Sequence, residues 1–584
     1  MAKAAALQSM DSLAGVDARI EALDKLEVLV NELTAEQVRR RSNIALKRSL
    51  RIWRNGDIAK SGEWALKAIE LDGSNSKAFH MLGLALERMG HLHKALVTYE
   101  RAFQLDPEDP ELLINLGLIA WNLKNTDGAA RMFQHYIAAR PDSPLGYNNL
   151  GSVQCDLGQA DIAVETLRAA LYRMPQEAIL WNSLATVLAE EGRADESLVF
   201  YNEAIRLEPG FARAYHNLGY AYQHLGQLET ALENYDGAMA RVVDITERRE
   251  TRHSRSICLI GAGQIEEGFR EYEVRNDVRF RAYVHHMIKA PVWKGEAING
   301  KKILLVGEQG LGDEFMFANI LPDVARAVGT SGKLQIAVDP RLVTLFQRSF
   351  PDAEVGAYDD RTLIDKDGNK ALRLIPFAAD GNEPDFWAPM GSALQYYRKS
   401  ISDFPHQAFL KPDPARVAEF RALLDTMPGK KVGICWRSMM LGAKRAKYYS
   451  PVDAWEPLLK TPGVTFVNLQ YGDSADELAR MQEKFGVTVE VIPGLDLRDD
   501  IDGTAALSAA LDLVLSAPTA AAATAASVGA EVWFLTAGRT WPQMGTNEFP
   551  WYAKTRVFSP EKFGDWEKLM PEAAAALADF ASQK

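Results

Sequence analysis

The sequence predicts an α-helical repeat superhelix followed by an α/β region of two parallel-sheet units. Three observations carry that division. A 34-residue period runs through three separate registers in the first half. The period stops near residue 275. From Lys302 onward, short apolar runs alternate with helical stretches, the pattern of βαβ units.

The period comes first. Prolines stand at Pro107, Pro141, Pro175 and Pro209. A second register holds Gly83, Gly117, Gly151, Ala185 and Gly219, and a third holds Gly56, Gly90, Gly158, Gly192 and Gly226, with Lys124 at its one irregular step. The Leu-Gly pairs put a small residue where two helices approach closely. The later glycines fall between apolar-periodic stretches, where a turn asks for positive φ. Tyr99, Phe133, Leu167, Tyr201 and Tyr235 recur on the second helix and are expected in the core, and the prolines stop that helix. This is a tetratricopeptide array: each helix hairpin buries its apolar face only by stacking on its neighbours. Five repeats are clear between about 76 and 243. A degenerate one precedes them from 42, and a final pair near 249–275 carries Gly263 and Tyr272, three residues out of register. Residues 1–41 form a charged, helix-prone leader. Asn115, Asn148, Asn149, Asn182 and Asn217 recur near the register glycines. They are suited either to holding an extended acceptor backbone in the concave face or to tying neighbouring repeats together.

Composition narrows the class. In 584 residues, 47% are hydrophobic and 25% charged, enough to bury several cores. A net charge of −12 argues against a surface-wide nucleic-acid footprint. Three scattered cysteines, Cys155, Cys258 and Cys435, form neither a disulfide framework nor a zinc knuckle. The first residues lack a basic and then apolar signal pattern. The Ala-rich stretch 517–530 falls short of the ~20 apolar residues that span a bilayer. A cytoplasmic protein without membrane insertion is expected.

In the second half, a linker at 276–300 leads to a unit at 301–414. There Lys302–Val306 reads as a strand, Glu314–Ala327 as a helix, Lys333–Val338 as a strand, and 340–349 as a helix. A Pro/Gly-rich stretch, 376–414, closes the unit as a linker. The pattern restarts in a unit at 415–584, with strands at 431–436, 465–470, 487–492, 511–516 and 531–535. Two Rossmann-like domains with a cleft between them account for this, with ligands beyond the carboxyl ends of the strands.

Several motifs carry chemistry. Glu308-Gln309-Gly310-Leu311-Gly312-Asp313 follows a strand and opens a helix, so backbone N–H groups and the helix dipole favour an anion. A dinucleotide fingerprint wants a third glycine where Phe315 stands, although Asp339 could imitate the ribose acid. Asp313 also suits a helix N-cap. Ser516-Ala517-Pro518-Thr519 precedes a second helix and offers Thr519 as a hydroxyl donor. Trp436-Arg437-Ser438 and the basic cluster Lys444-Arg445-Lys447 follow a strand and can meet phosphate, or form a solvated loop. Gln470 ends a strand at the same rim. Asp499, Asp500 and Asp502 are better read as a solvated acidic turn than as a metal site.

The run 265–320, with Trp387–Leu394, Val467–Gln470, Leu511–Leu535 and Pro550–Phe558, resembles bacterial tetratricopeptide proteins fused to a GT-B glycosyltransferase. That family is related to the heptosyltransferase and O-GlcNAc transferase lineages, and the flagellin glycosyltransferases of alphaproteobacteria share this domain order. The resemblance implies a metal-independent protein O-glycosyltransferase with no cofactor. It implies a CMP-activated nonulosonic acid, or another nucleotide-activated sugar, as donor. The implied acceptor is flagellin or another protein; on the groove reading above, Asn115, Asn149, Asn182 and Asn217 would hold it. It makes Asp313 the general base. It assigns donor binding to Gly310, Gly312, Arg437, Ser438, Lys444, Lys447, Gln470 and Thr519, with Lys447 and Ser450 near the family's basic residue for the leaving nucleotide. Many relatives carry an aspartate at the position of Pro518 and a histidine at that of Ala523. Those departures keep open a repeat scaffold or flagellin chaperone with a degenerate transferase, and a lipid or glycan acceptor is a third possibility. Removing 1–243 is expected to cost acceptor binding and to spare donor binding.

Overall fold

The structure is a computed structural model and describes residues 16–280, 282–365, 368–439 and 443–583. The chain divides into two compact units, residues 1–157 with 363–370, and residues 158–362 with 371–584.

In the first unit the helix Val16–Arg54 runs through the expected leader boundary at 41 without a break. The degenerate repeat is therefore a full hairpin, with Ile58–Leu71 as its second helix. The regular repeats follow as Ser76–Arg88 with Leu92–Leu105, and Pro110–Asn122 with Thr126–Ala139. Each register does what its chemistry requires. A Cβ on Gly83 would sit 2.5 Å from the Tyr99 ring, and one on Gly117 would overlap Phe133; both rings are fully buried. The inter-helix turns take positive φ at Gly56, at Gly90 and, where the register breaks, at Lys124 (φ 65°). Side chains at the helix starts take up exposed N–H groups: Asn75 accepts from Ala78 at 3.2 Å and Asn125 from Gly128 at 3.0 Å.

The second unit opens with the repeat helices Ala160–Arg173, α1 (Ala178–Glu190), Ala194–Leu207, α2 (Ala212–His224) and Leu228–Arg241. A last pair, Ile245–Gly261 and Ile265–Tyr272, turns at Gly263. Two parallel sheets follow. The first contains β1 (Lys302–Val306), β2 (Lys333–Val338), β3 (Glu354–Ala357) and β4 (Phe386–Pro389), ordered β3-β2-β1-β4. Strand β4 and the helix Met390–Tyr397 lie where the sequence suggested a linker. The run Phe386-Trp-Ala-Pro389 is only four residues long and ends in proline, so its apolar signal was lost among turn residues. Helix α3 (Leu311–Phe317) is shorter than expected; a 3-10 turn at Ala318–Ile320 separates it from Leu321–Val328. Pro322 has no N–H to return to residue 318, which accounts for the break.

The second sheet contains β5 (Lys430–Cys435), β6 (Val464–Asn468), β7 (Val489–Glu490), β8 (Leu513–Ser516), β9 (Val532–Leu535) and β10 (Thr555–Phe558), ordered β7-β6-β5-β8-β9-β10. All its pairings are parallel. This is a doubly wound sheet whose connection direction reverses between β5 and β8, where Ser516 pairs with Cys435. Strand β7 keeps two residues of the six expected. Strand β10 was not read as a strand, because only Phe558 of its four residues is buried. The helix α4 (Ala520–Ser527) leaves the end of β8. No helix among the described residues is long and apolar enough to cross a membrane.

Candidate active site between the two sheets

The reversal point of the second sheet opens onto a cavity of about 510 Å³. Its floor on one side is Gly310–Asp313 at the start of α3, and on the other Pro518–Ala521 at the start of α4. The two helix starts are close: a Cβ on Gly312 would lie 3.9 Å from the Ala520 nitrogen. Both present N–H groups and the positive end of a peptide-dipole array to the same space. Arg341, Arg445 and Arg498 reach the rim, while Tyr449, Tyr471, Trp541 and Tyr552 supply aromatic walls. Asp339 forks Arg341 at 2.9 and 3.0 Å, so that cation is largely spent and Asp339 acts as a cap and ion-pair partner. Arg445 is exposed and has no ion pair among the described residues.

Asp313 is the carboxylate of this cavity. Its Oδ2 accepts the Gly310 N–H at 3.3 Å. Burial pushes its carboxyl up to about 6; the Gly310 N–H and Arg445 oppose that rise, and Glu308 adds to it. The turn that presents it is rigidly held. Glu308 accepts two bonds from Arg275, at 2.8 and 2.7 Å, and the Gly391 N–H at 2.7 Å. Gln309 sits at φ 64° and its amide donates to the Tyr272 hydroxyl. Behind Asp313, burial lifts the neighbouring Glu314 to about 7; it accepts the Tyr358 hydroxyl and the Asp339 N–H, the latter at 3.1 Å. Glu314 faces away from the cavity and serves the frame.

Of the expected donor residues, Gly310, Gly312, Ser438 and Thr519 line the cavity. Thr519 is also the N-cap of α4 and contacts Ser516 Oγ at 3.2 Å. Three assignments are corrected. Arg437 turns away, with Nε on Glu477 at 2.7 Å and a terminal nitrogen on the Asp473 carbonyl at 2.8 Å. Gln470 is buried and bonded at both ends: Oε1 accepts the N–H groups of Trp436 and Arg437 at 3.1 and 3.0 Å, and Nε2 donates to the carbonyls of Arg437 and Tyr471. It shapes the loop after β5. Lys447 donates to the Glu190 carbonyl at 2.9 Å, at the end of α1. The side chain of Lys444 lies outside the described residues. Ser450 is buried and accepts the Trp455 indole N–H. Within the basic cluster it is Arg445, not singled out there, that lines the cavity. Pro518 and Ala523 both line it, so the departures from the resembled family fall on the site itself.

The asparagines mostly join repeats. Asn115 bonds His80 at 2.7 Å, and Asn217 donates to Asn182 Oδ1 at 3.0 Å, each pair 35 residues apart. Asn149 is buried and accepts from Asn148 at 3.0 Å. Asn115, Asn182 and Asn217 thus tie helices together, whereas the buried Nδ2 of Asn149 has no hydrogen-bond partner among the described residues. The aspartates of the acidic turn are paired with arginines, Asp500 with Arg416 at 3.0 Å and Asp502 with Arg348 at 2.7 Å.

Fold and site together define a helical-repeat protein with an α/β region and a cavity between its two sheets. Comparison with known proteins adds the following. Tetratricopeptide repeat models match residues 80–144 and 148–210, and another matches 200–233; the chain carries tetratricopeptide repeats. Protein FlbA of Caulobacter vibrioides is 41% identical over 374 residues, 64% of this chain and 62% of that protein. The chain thus spans under two thirds of that relative. The match is longer than everything preceding β1, so it reaches into the α/β region. Among solved structures, the thermophilic repeat protein TTC0263 of Thermus thermophilus aligns at TM-score 0.29 and 24% identity, covering 32% of this chain and 99% of its own. A tetratricopeptide repeat protein of Parabacteroides merdae aligns at 0.34 and 16%, covering 40% and 92%.

Proposed function

We propose that this chain is a GT-B glycosyltransferase that moves a sugar from a nucleotide-activated donor in the inter-sheet cavity to a serine or threonine hydroxyl of a protein. One observation carries the reading most: Asp313, its carboxyl raised to about 6, lines a cavity onto which two helix starts and Arg445 also open. A donor phosphate fits against Thr519, the first N–H groups of α4 and Arg445. The acceptor hydroxyl then attacks the anomeric carbon as the bond from that carbon to the phosphate oxygen breaks. Its proton passes to Asp313, and the nucleotide leaves with the bonding electron pair. A base with a pKa near the working pH is suited to this step.

For the donor we propose a CMP-activated nonulosonic acid. It carries a single phosphate and a carboxylate, which suits a cavity whose wall has Pro518 and Ala523 where relatives place ionisable groups. For the acceptor we propose flagellin; the resemblance to flagellin glycosyltransferases and the similarity to FlbA support a flagellum-associated setting. The test is the intact mass of flagellin co-expressed with this chain and a CMP-nonulosonate pathway. A sugar-sized gain that disappears in Asp313→Asn supports the reading. No gain, with flagellin still bound, favours the second reading, a flagellin-binding scaffold, which the apolar residues at 518 and 523 specifically suggest.

A further inference from the structure

The segment 445–449 faces two ways. Arg445 and Tyr449 line the cavity, as does Ser438. Lys447 and Tyr448, between them, face the repeats. Lys447 Nζ donates to the carbonyls of Glu190 at 2.9 Å and Ala189 at 3.4 Å, both in the last turn of α1. The Tyr448 hydroxyl lies 3.2 Å from that of Tyr220 and 3.3 Å from His224 Nε2, both on α2. Its ring meets Phe563 edge-on at 5.4 Å, and His224 packs on the same phenylalanine at 5.3 Å. His224 is held neutral by burial and by the nearby Lys447, so its Nε2 is free of positive charge and can accept from a tyrosine.

We propose that Lys447 and Tyr448 form a latch by which helices α1 and α2 of the repeat array hold Arg445 and Tyr449 in the donor-binding position. They are positioning residues, acting through Arg445 and Tyr449. The ligand they prepare the cavity for is a nucleoside monophosphate moiety, and this part rests on the donor reading above. The consequence is that the last repeats belong to the donor site as structural members, beyond any part they take in acceptor capture. A helix C-terminus is a strong partner for an ammonium group, because the terminal carbonyls and the dipole attract it together. Two anchors on adjacent residues leave little freedom for the residues on either side.

The experiment uses the full chain. Amide hydrogen exchange of segment 445–449 is followed in wild type, Lys447→Met, Tyr448→Ala and Lys447→Arg, with β5 as the internal control for folding. CMP affinity is measured on the same proteins by calorimetry. The expected result is exchange at least about tenfold faster in 445–449 for Lys447→Met and Tyr448→Ala, an unchanged β5, and CMP affinity reduced at least about fivefold, with both restored in Lys447→Arg. Unchanged exchange overturns the latch, and so does faster exchange with unchanged CMP affinity. Wild type that binds no CMP would refute the donor reading alone; the exchange comparison, with its arginine rescue, would still decide whether the anchors hold the segment.

Discussion

Replacing Asp313 by asparagine separates its chemistry from its cost. Its carboxyl rises from an ordinary 3.8 to about 6 chiefly because it is buried. At 1.36 kcal/mol per pH unit, ionising it in the folded state costs on the order of 2–3 kcal/mol, the lower figure allowing for water in the cavity. The sign follows from the raised value. The protonated form's advantage is complete below 3.8 and is lost as pH rises through about 6. Asp313→Asn removes the charge and keeps nearly the same shape, so its stability relative to wild type should grow by about 2–3 kcal/mol between pH 4 and pH 8. Transfer should fall by roughly 10²–10⁴, the usual worth of a general base. Wild-type transfer should climb with pH through about 6 as the carboxyl loses its proton. Urea unfolding at several pH values gives the first quantity, and single-turnover mass analysis gives the others. A mutant destabilised at pH 8, or one that retains transfer, would refute the reasoning: the first would deny the burial cost, the second the base.

Further outcomes follow from the same contacts. Arg445→Ala should weaken CMP binding by about 10–100-fold, the loss of one hydrogen bond to a charged group, while Arg437→Ala should change it little because Glu477 already holds that guanidinium; calorimetry compares the two. Gln470→Leu strands two buried N–H groups, at Trp436 and Arg437, and should cost about 1–3 kcal/mol for each left unbonded in urea unfolding. Gly117→Ala drives a methyl into Phe133 and should cost about 1–3 kcal/mol, and a change below about 0.5 would show that the helix pair has slack. A fragment starting at residue 158 should bind CMP with the affinity of the whole chain, whereas one starting at 244 should lose most of it, as measured by calorimetry.

The repeats were legible because each position has one physical job that only a few residue types perform. The turn register even survives its exception: Lys124 takes the positive φ that glycine takes elsewhere, so the geometry belongs to the turn and not to the residue. Strands buried on both faces, such as β1 and β5, announce themselves as apolar runs. Strands β4 and β10 do not, since one is four residues closed by a proline and the other buries only one of its four residues. At the cavity, the placement of Asp313 and Thr519 was legible because a helix start constrains its first residues locally. The fates of Arg437, Gln470 and Lys447 were not readable, because each is decided by a partner 33 to 257 residues away. A cationic or amide side chain at a strand end looks the same in sequence whether it meets a ligand or a carbonyl. Only the competing partner distinguishes them, and Glu477, the loop backbone and the end of α1 had already taken these three.

That competition also relocates the boundary between the two halves. A division after the last repeat treats the superhelix as a detachable acceptor module and the sheets as a complete donor module. The contacts of Lys447 and Tyr448 deny this, since they join the loop after β5 to helices ending at residues 190 and 224. The junction beyond the array points the same way. Arg275, buried just after the last repeat helix, holds Glu308, and Glu308 holds the turn that presents Asp313. Each candidate catalytic element, the base on one sheet and the cation on the other, is thus braced by a residue contact to the repeat array or its junction.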